Sequence, residues 1–151
     1  MNTNGQPWTD DAGDLIQAHG GMILHHGNTY YWYGENKGVD NYRNAEGVNM
    51  VPFIGISCYT SPDLLTWHHA GIVLNEASDP TNTLTKESIC ERPKVLYDAE
   101  RDRFVMWCHY DTPDYKYAGN LVAIADNPTG PFQVQKVLRP NGKESRDMTV
   151  Y

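Results

Sequence analysis

Ser88-Ile89-Cys90-Glu91-Arg92-Pro93-Lys94-Val95-Leu96-Tyr97-Asp98 is the stretch on which the reading of the fold turns. An acid and a base, Glu91 and Arg92, stand directly before a proline and an apolar strand start. A turn, Asp98-Ala99-Glu100-Arg101-Asp102, leads into Arg103-Phe104-Val105-Met106-Trp107-Cys108-His109, so the two runs predict a β-hairpin with charges at its mouth. Two charges beside a hairpin built for burial are either a surface salt bridge from Glu91 to Arg92 or part of a site. The rest of the chain favours the site.

Downstream of the hairpin lie a polar, tyrosine-bearing loop (Asp111 to Gly119), a strand (Asn120-Leu121-Val122-Ala123-Ile124-Ala125), a turn (Asp126 to Pro131) and an outer strand from Phe132 to Leu138. Upstream the same succession occurs once already. Met22-Ile23-Leu24-His25, the turn His26-Gly27-Asn28-Thr29 and the aromatic run Tyr30-Tyr31-Trp32-Tyr33-Gly34-Glu35 make a hairpin by ordinary turn chemistry. A long loop (Lys37 to Pro52), a strand (Phe53 to Tyr59), a turn (Thr60 to Leu65) and an outer strand (Thr66 to Leu74) follow. Asn75 to Glu87 is a polar loop without a strand pattern, and Met1 to Asp14 is a leading loop whose bulky residue is Trp8.

Superposing the two cycles places Ile23-Leu24 on Val95-Leu96, Trp32 at about Trp107, Gly55-Ile56-Ser57 on Ala123-Ile124-Ala125, and Trp67 on Phe132. The chain is therefore expected to be all-β, with an internal repeat of roughly 65–75 residues and four strands per unit, the pattern of propeller blades. Blade 1 is expected over about 15–75 and blade 2 over about 88–140, with a third cycle opening at about 145 within one domain, 1–151. Two blades leave open strand edges and an uncovered sheet face, which a longer chain or self-association of copies would cover.

Composition bounds the partner. With 40% hydrophobic and 21% charged residues the chain reads as globular. A formal net charge of −7 with no basic cluster argues against nucleic acid and fits a neutral ligand. Ten Tyr and four Trp against three Phe suit half-wet concave surfaces, carbohydrate sites among them, and equally suit plain β-sheet. Cys58, Cys90 and Cys108 show no C-x-x-C spacing and read as buried thiols. No apolar run reaches the length of a membrane span, and the polar first ten residues carry no signal peptide, which leaves the compartment open. His25-His26, His68-His69 and His109 invite a metal reading, but neighbouring strand residues point to opposite faces, so neither pair chelates from one side. Neither a metal nor another cofactor is expected.

Several segments together, Ile16-Gln17-Ala18-His19-Gly20-Gly21, Tyr30 to Glu35, Thr60-Ser61-Pro62-Asp63-Leu64, Glu91-Arg92-Pro93-Lys94-Val95, Asn127-Pro128-Thr129-Gly130-Pro131-Phe132 and Ser145-Arg146-Asp147, resemble glycoside hydrolase family 43. They are most similar to its galactan 1,3-β-galactosidase (exo-β-1,3-galactanase) branch. The resemblance implies a five-bladed β-propeller of about twice this length, of which this chain would be the N-terminal part: two blades and the start of a third. It implies a secreted or periplasmic enzyme that inverts the anomeric centre while releasing galactose from β-1,3-galactan, a plant glycan. The family's usual first-blade Asp is absent, since His19-Gly20-Gly21 stands there, as in the galactanase-like branch.

By the same resemblance Glu91 and Asp147 are the catalytic candidates. Glu91 would bind substrate hydroxyls or position water, and Asp147 would hold and tune the general acid, itself expected beyond Tyr151. Gln17, His19, Glu35, Arg92 and Tyr115 are the substrate-binding candidates. The enzyme alternatives are an α-L-arabinofuranosidase or β-xylosidase of the same family, against which the missing Asp leans. The remaining alternative is an inactive or merely glycan-binding propeller piece, and turnover by these 151 residues alone is not expected.

Overall fold

The structure is a computed structural model that describes residues 3–151; Met1 and Asn2 of the leading loop lie outside the described residues. Strands β1 (His19–His26) and β2 (Thr29–Glu35) form the first hairpin, and β3 (Tyr42–Arg43) with β4 (Asn49–Met50) a small ribbon in the loop after it. Strands β5 (Ile56–Ser61) and β6 (His68–Leu74) complete an antiparallel sheet in the order β1-β2-β5-β6. Strands β7 (Ile89–Asp98), β8 (Arg103–Asp111), β9 (Gly119–Ala125) and β10 (Gln133–Leu138) form a second antiparallel sheet in that order. Among the described residues there is no α-helix.

One core lies between the sheets. Alternation along β2 sends Tyr31 and Tyr33 toward the second sheet and Trp32 away from it, where it meets Trp8 and Trp67 edge-on. The second sheet answers with Val95, Met106, Ala123 and Val134, all essentially without exposure. Tyr33 crosses the gap: its hydroxyl donates to the Pro128 carbonyl at 2.7 Å and its ring stands edge-on to Phe132. Burial pushes the Tyr33 pKa far up, so it is a permanent donor in that bond. Cys58, Cys90 and Cys108 are buried free thiols in the same core.

The first strands of the two sheets carry the same irregularity. Pairing slips between His19 and Met22 on β1 and between Glu91 and Lys94 on β7. Each slip contains a left-handed residue, Gly20 at φ 60° and Arg92 at φ 52°. These are β-bulges, which re-aim the side chains beside them. Lys94 stitches them together: its Nζ donates to the carbonyls of Gly20, Arg92 and Pro93 at 3.2, 3.1 and 3.2 Å. Glycine is required where β1 enters, because a Cβ on Gly34 would collide with the Ala18 backbone.

The pairings correct the expected superposition. Ile23 pairs with Trp32 and Val95 with Met106, so Trp32 corresponds to Met106 and Tyr33 to Trp107. Likewise Tyr33 pairs with Cys58 and Trp107 with Val122, which sets Tyr59, rather than Gly55, on Ala123. Matching tryptophan to tryptophan misleads because the two rings face opposite sides of their sheets. The loop expected from Lys37 to Pro52 contains the β3–β4 ribbon, closed by Asn44, whose side chain accepts the Val48 N–H. The loop from Asn75 to Glu87 contains a 3-10 turn, Glu76–Ser78, capped by Asn75. Asp79 organises the rest of it by accepting the backbone N–H groups of Thr81, Thr83 and Leu84.

Truncating a fully buried core side chain loses transfer energy and leaves a cavity. Met106→Ala is expected to cost about 2–5 kcal/mol in urea denaturation. Ile23→Ala, on the outward face of β1 and 46% exposed, is expected to cost well under half as much.

Candidate active site

The repeated bulge gives each sheet one His and one Glu at the same end, with their strands exchanged. His19 of β1 pairs with Glu35 of β2, and Glu91 of β7 pairs with His109 of β8. A cleft of about 260 Å³ opens there, lined by His19, Gly20, Glu35, Lys37, Glu91 and Arg92. Lys37 Nζ stands 2.8 Å from Glu35 Oε1 and 3.9 Å from Glu91 Oε1. The two carboxylates are held differently. Burial raises the Glu35 pKa, and the Lys37 hydrogen bond and charge only partly offset it. His109 holds Glu91 below its ordinary range, with Lys37 helping against the opposing effect of burial. One cleft thus contains a carboxyl that protonates more readily and a carboxylate that stays ionised, the separation acid–base and hydroxyl-binding sites use.

Behind Glu91 runs a buried polar chain. His109 Nδ1 lies 3.8 Å from Glu91 Oε2, and its Nε2 lies 3.3 Å from Asp111 Oδ2. Asp111 Oδ1 accepts the N–H groups of Thr112, Tyr117 and Ala118 at 3.0, 2.8 and 3.0 Å. Arg146 donates to Asp111 Oδ2 at 2.8 Å and to the Tyr115 carbonyl at 2.9 Å. Burial alone would raise the Asp111 pKa, but the bonds from Ala118, His109, Tyr117 and Thr112 prevail and lower it. The neighbouring Asp147 turns the other way and accepts from Arg92 Nε at 2.6 Å. Ser145-Arg146-Asp147 therefore straps across the end of the second sheet, one charge gripping each side.

No family model and no curated protein matches the sequence. Solved structures do. An exo-β-1,3-galactanase of Phanerochaete chrysosporium, determined with β-1,3-galactotriose, superposes with a TM-score of 0.83 at 37% identity, over 97% of this chain and 32% of its own. A β-1,3-galactosidase described as GH43, determined with galactodeoxynojirimycin, gives 0.74 at 37%, over 88% of this chain and 37% of its own. An exo-β-1,3-galactanase of Clostridium thermocellum gives 0.72 at 39%, over 90% of this chain and 27% of its own. The chain belongs to glycoside hydrolase family 43. It spans about a third of the length of these family 43 structures, and its two sheets are blades of the family's propeller.

Within that family 43 frame, four residues read from the sequence line the cleft: His19, Glu35, Glu91 and Arg92. Asp147 sits beside it on Arg92. Tyr115 is 46% exposed on the loop above, its ring centroid 6.4 Å from that of His109. Gln17 is not among the lining residues. Its N–H donates to the Tyr59 hydroxyl, and its side-chain oxygen is buried without a hydrogen-bond partner. The salt bridge between Glu91 and Arg92 does not form; Arg92 turns to Asp147, and Glu91 to Lys37 and His109. Neighbours on a strand face opposite ways, and the bulge accentuates the divergence.

Lys37, His109, Asp111 and Arg146 are not marked as sugar-site residues by the sequence. Counting hairpin partners back from the turn sets Tyr110 opposite Glu91, and the bulge shifts the pairing by one, to His109. The remaining histidines have packing roles: His25 stacks on Tyr30, His26 meets Tyr97 and Phe104, His68 pairs with Asp11, and His69 stacks on Tyr59.

The cleft makes stability depend on pH. Glu91 first, and Asp111, raise the His109 pKa against burial, so the stability it lends is complete below about pH 6.5, the free-histidine value, and fades as pH rises through the raised one. Glu91 and Asp111, both lowered, lend stability above the free-carboxyl range that is lost on acidification through their lowered values. The melting-temperature gap between wild type and His109→Gln is therefore expected to be widest near pH 5–6 and to narrow toward about pH 9.

Proposed function

We propose that this chain contributes the galactose-binding cleft of an inverting, exo-acting β-1,3-galactanase, with galactose released from β-1,3-galactan as the product. The observation that carries the reading is the meeting of Glu35 and Glu91, from corresponding ends of adjacent blades, in one cleft with Lys37 between them. It is supported by the galactose-type ligands with which the related structures were determined. In an inverting reaction one carboxylic acid protonates the leaving oxygen while a base activates water across a gap of roughly 6.5–9.5 Å.

Glu91, ionised, accepts sugar hydroxyls and helps to place the water. Glu35 accepts from a second hydroxyl, with Lys37 limiting its freedom. Arg92 and His19 offer donors at the cleft wall, while Tyr115 and Gln17 act from its periphery. Asp147, fixed on Arg92, is the group that steadies and tunes the general acid. Charge-assisted bonds to hydroxyls are stronger than neutral ones, which makes an ionised Glu91 the main anchor.

Calorimetric titration with galactose, β-1,3-galactotriose, xylose and arabinose tests this. Galactose and galactotriose are expected to bind in preference to the pentoses, and Glu91→Gln to weaken them by about tenfold or more. Preference for xylose or arabinose would favour a β-xylosidase or α-L-arabinofuranosidase instead. Unchanged galactose affinity in Glu91→Gln would remove Glu91 from the site.

A further inference from the structure

His109 is 3% exposed, yet its Nδ1 has no hydrogen-bond partner. Buried polar atoms are nearly always satisfied, and an orphan asks for an explanation. The other ring nitrogen is accounted for. Nε2 faces Asp111 Oδ2 at 3.3 Å, and Asp111 is immobilised by three backbone N–H groups and Arg146. A carboxylate so held only accepts, so Nε2 carries a proton. Nδ1 faces a second carboxylate, Glu91 Oε2, at 3.8 Å. A neutral ring would turn a lone pair toward that negative charge, whereas a doubly protonated ring turns an N–H toward it. The separation is just beyond hydrogen-bond length, as is common for site contacts that tighten only with ligand present.

We propose that His109 is a positioning residue for Glu91: anchored on Asp111 and Arg146, its doubly protonated ring holds the Glu91 carboxylate toward the cleft and closes onto it when a sugar hydroxyl engages the other oxygen. The proposal rests on the reading of Glu91 as a sugar-binding residue. The charged and titratable groups around the ring are Glu91 from β7, Asp111 from β8, Tyr115 from the β8–β9 loop and Arg146 from the segment after β10. Glu35 and Lys37 act on it through Glu91. Both carboxylates that flank the ring favour its cation, and Arg146 opposes it from behind Asp111. A ring serving only to fill space would need no second carboxylate and would leave no nitrogen unpaired.

The test is an imidazole ¹⁵N NMR titration of His109 in wild type and Glu91→Gln, alongside galactose affinity across the same pH range. In Glu91→Gln the His109 midpoint is expected to fall by about one pH unit or more. Galactose affinity of the wild type is expected to drop about fivefold or more as pH rises through that midpoint, and to be weak and pH-independent in His109→Gln. A midpoint unmoved by Glu91→Gln overturns the proposal, as does galactose affinity that ignores the midpoint. If Glu91→Gln moves the midpoint but the wild type binds no galactose, the pairing stands and the sugar-site reading falls. The midpoint needs no His109 variant, so poor folding of His109→Gln does not affect the decision.

Discussion

A bulge at one end of each sheet's first strand governs where the polar chemistry of this molecule lies. At Gly20 and Arg92 the backbone turns left-handed, and the residues beside those turns, His19 and Glu91, are aimed out of the sheets. Lys94 joins the two bulges through three carbonyls, so the ends of β1 and β7 stay side by side. Glycine takes the left-handed position in the first sheet without penalty. In the second sheet the position is held by arginine, and a non-glycine residue there costs about 1–3 kcal/mol. The arginine is used there, in its pairing with Asp147 at 2.6 Å, although so exposed an ion pair offsets only part of that strain.

Charge alternates through the resulting cleft. Lys37 stands between Glu35 and Glu91, His109 between Glu91 and Asp111, and Asp111 between His109 and Arg146. Bringing so many ionisable groups out of water is costly, and well-packed apolar residues would stabilise the fold at least as well. Such a row makes sense as a device for fixing carboxylates in set protonation states, consistent with the galactosyl site proposed for Glu35 and Glu91. The apolar core between the sheets, from Tyr33 to Met106, carries stability separately. Fold and site therefore depend largely on different residues, joined at the bulges and by the pH-dependent share of stability that His109, Glu91 and Asp111 add.

Much of this architecture is legible in the sequence because strands advertise themselves locally. The hairpins around Gly27 and Ala99 follow from turn chemistry and apolar runs, and the blade-length repeat follows from their recurrence. Glu35, Glu91 and Arg92 could be singled out because they sit at strand ends, in motifs that resemble family 43. Register was harder. The second hairpin's turn is two residues longer, with four between Asp98 and Arg103 against two between His26 and Thr29, so matching tryptophan to tryptophan lands one position off, and Trp32 corresponds to Met106. The supports of the site were hidden for a different reason. Lys37 opens what reads as an ordinary polar loop, Asp111 closes a strand, and Arg146 reaches Asp111 from 35 positions away in the chain. Only the folded backbone brings those three to Glu91.

On this reading the bulge-flanked cleft, and no other surface of this chain, receives the sugar. Amide chemical-shift mapping with β-1,3-galactotriose tests it most directly. The largest perturbations are expected around His19, Glu35, Lys37, Glu91 and His109. Perturbations centred instead on the outer-rim hollow between Asn75 and Pro131, or spread evenly over both sheets, would contradict it.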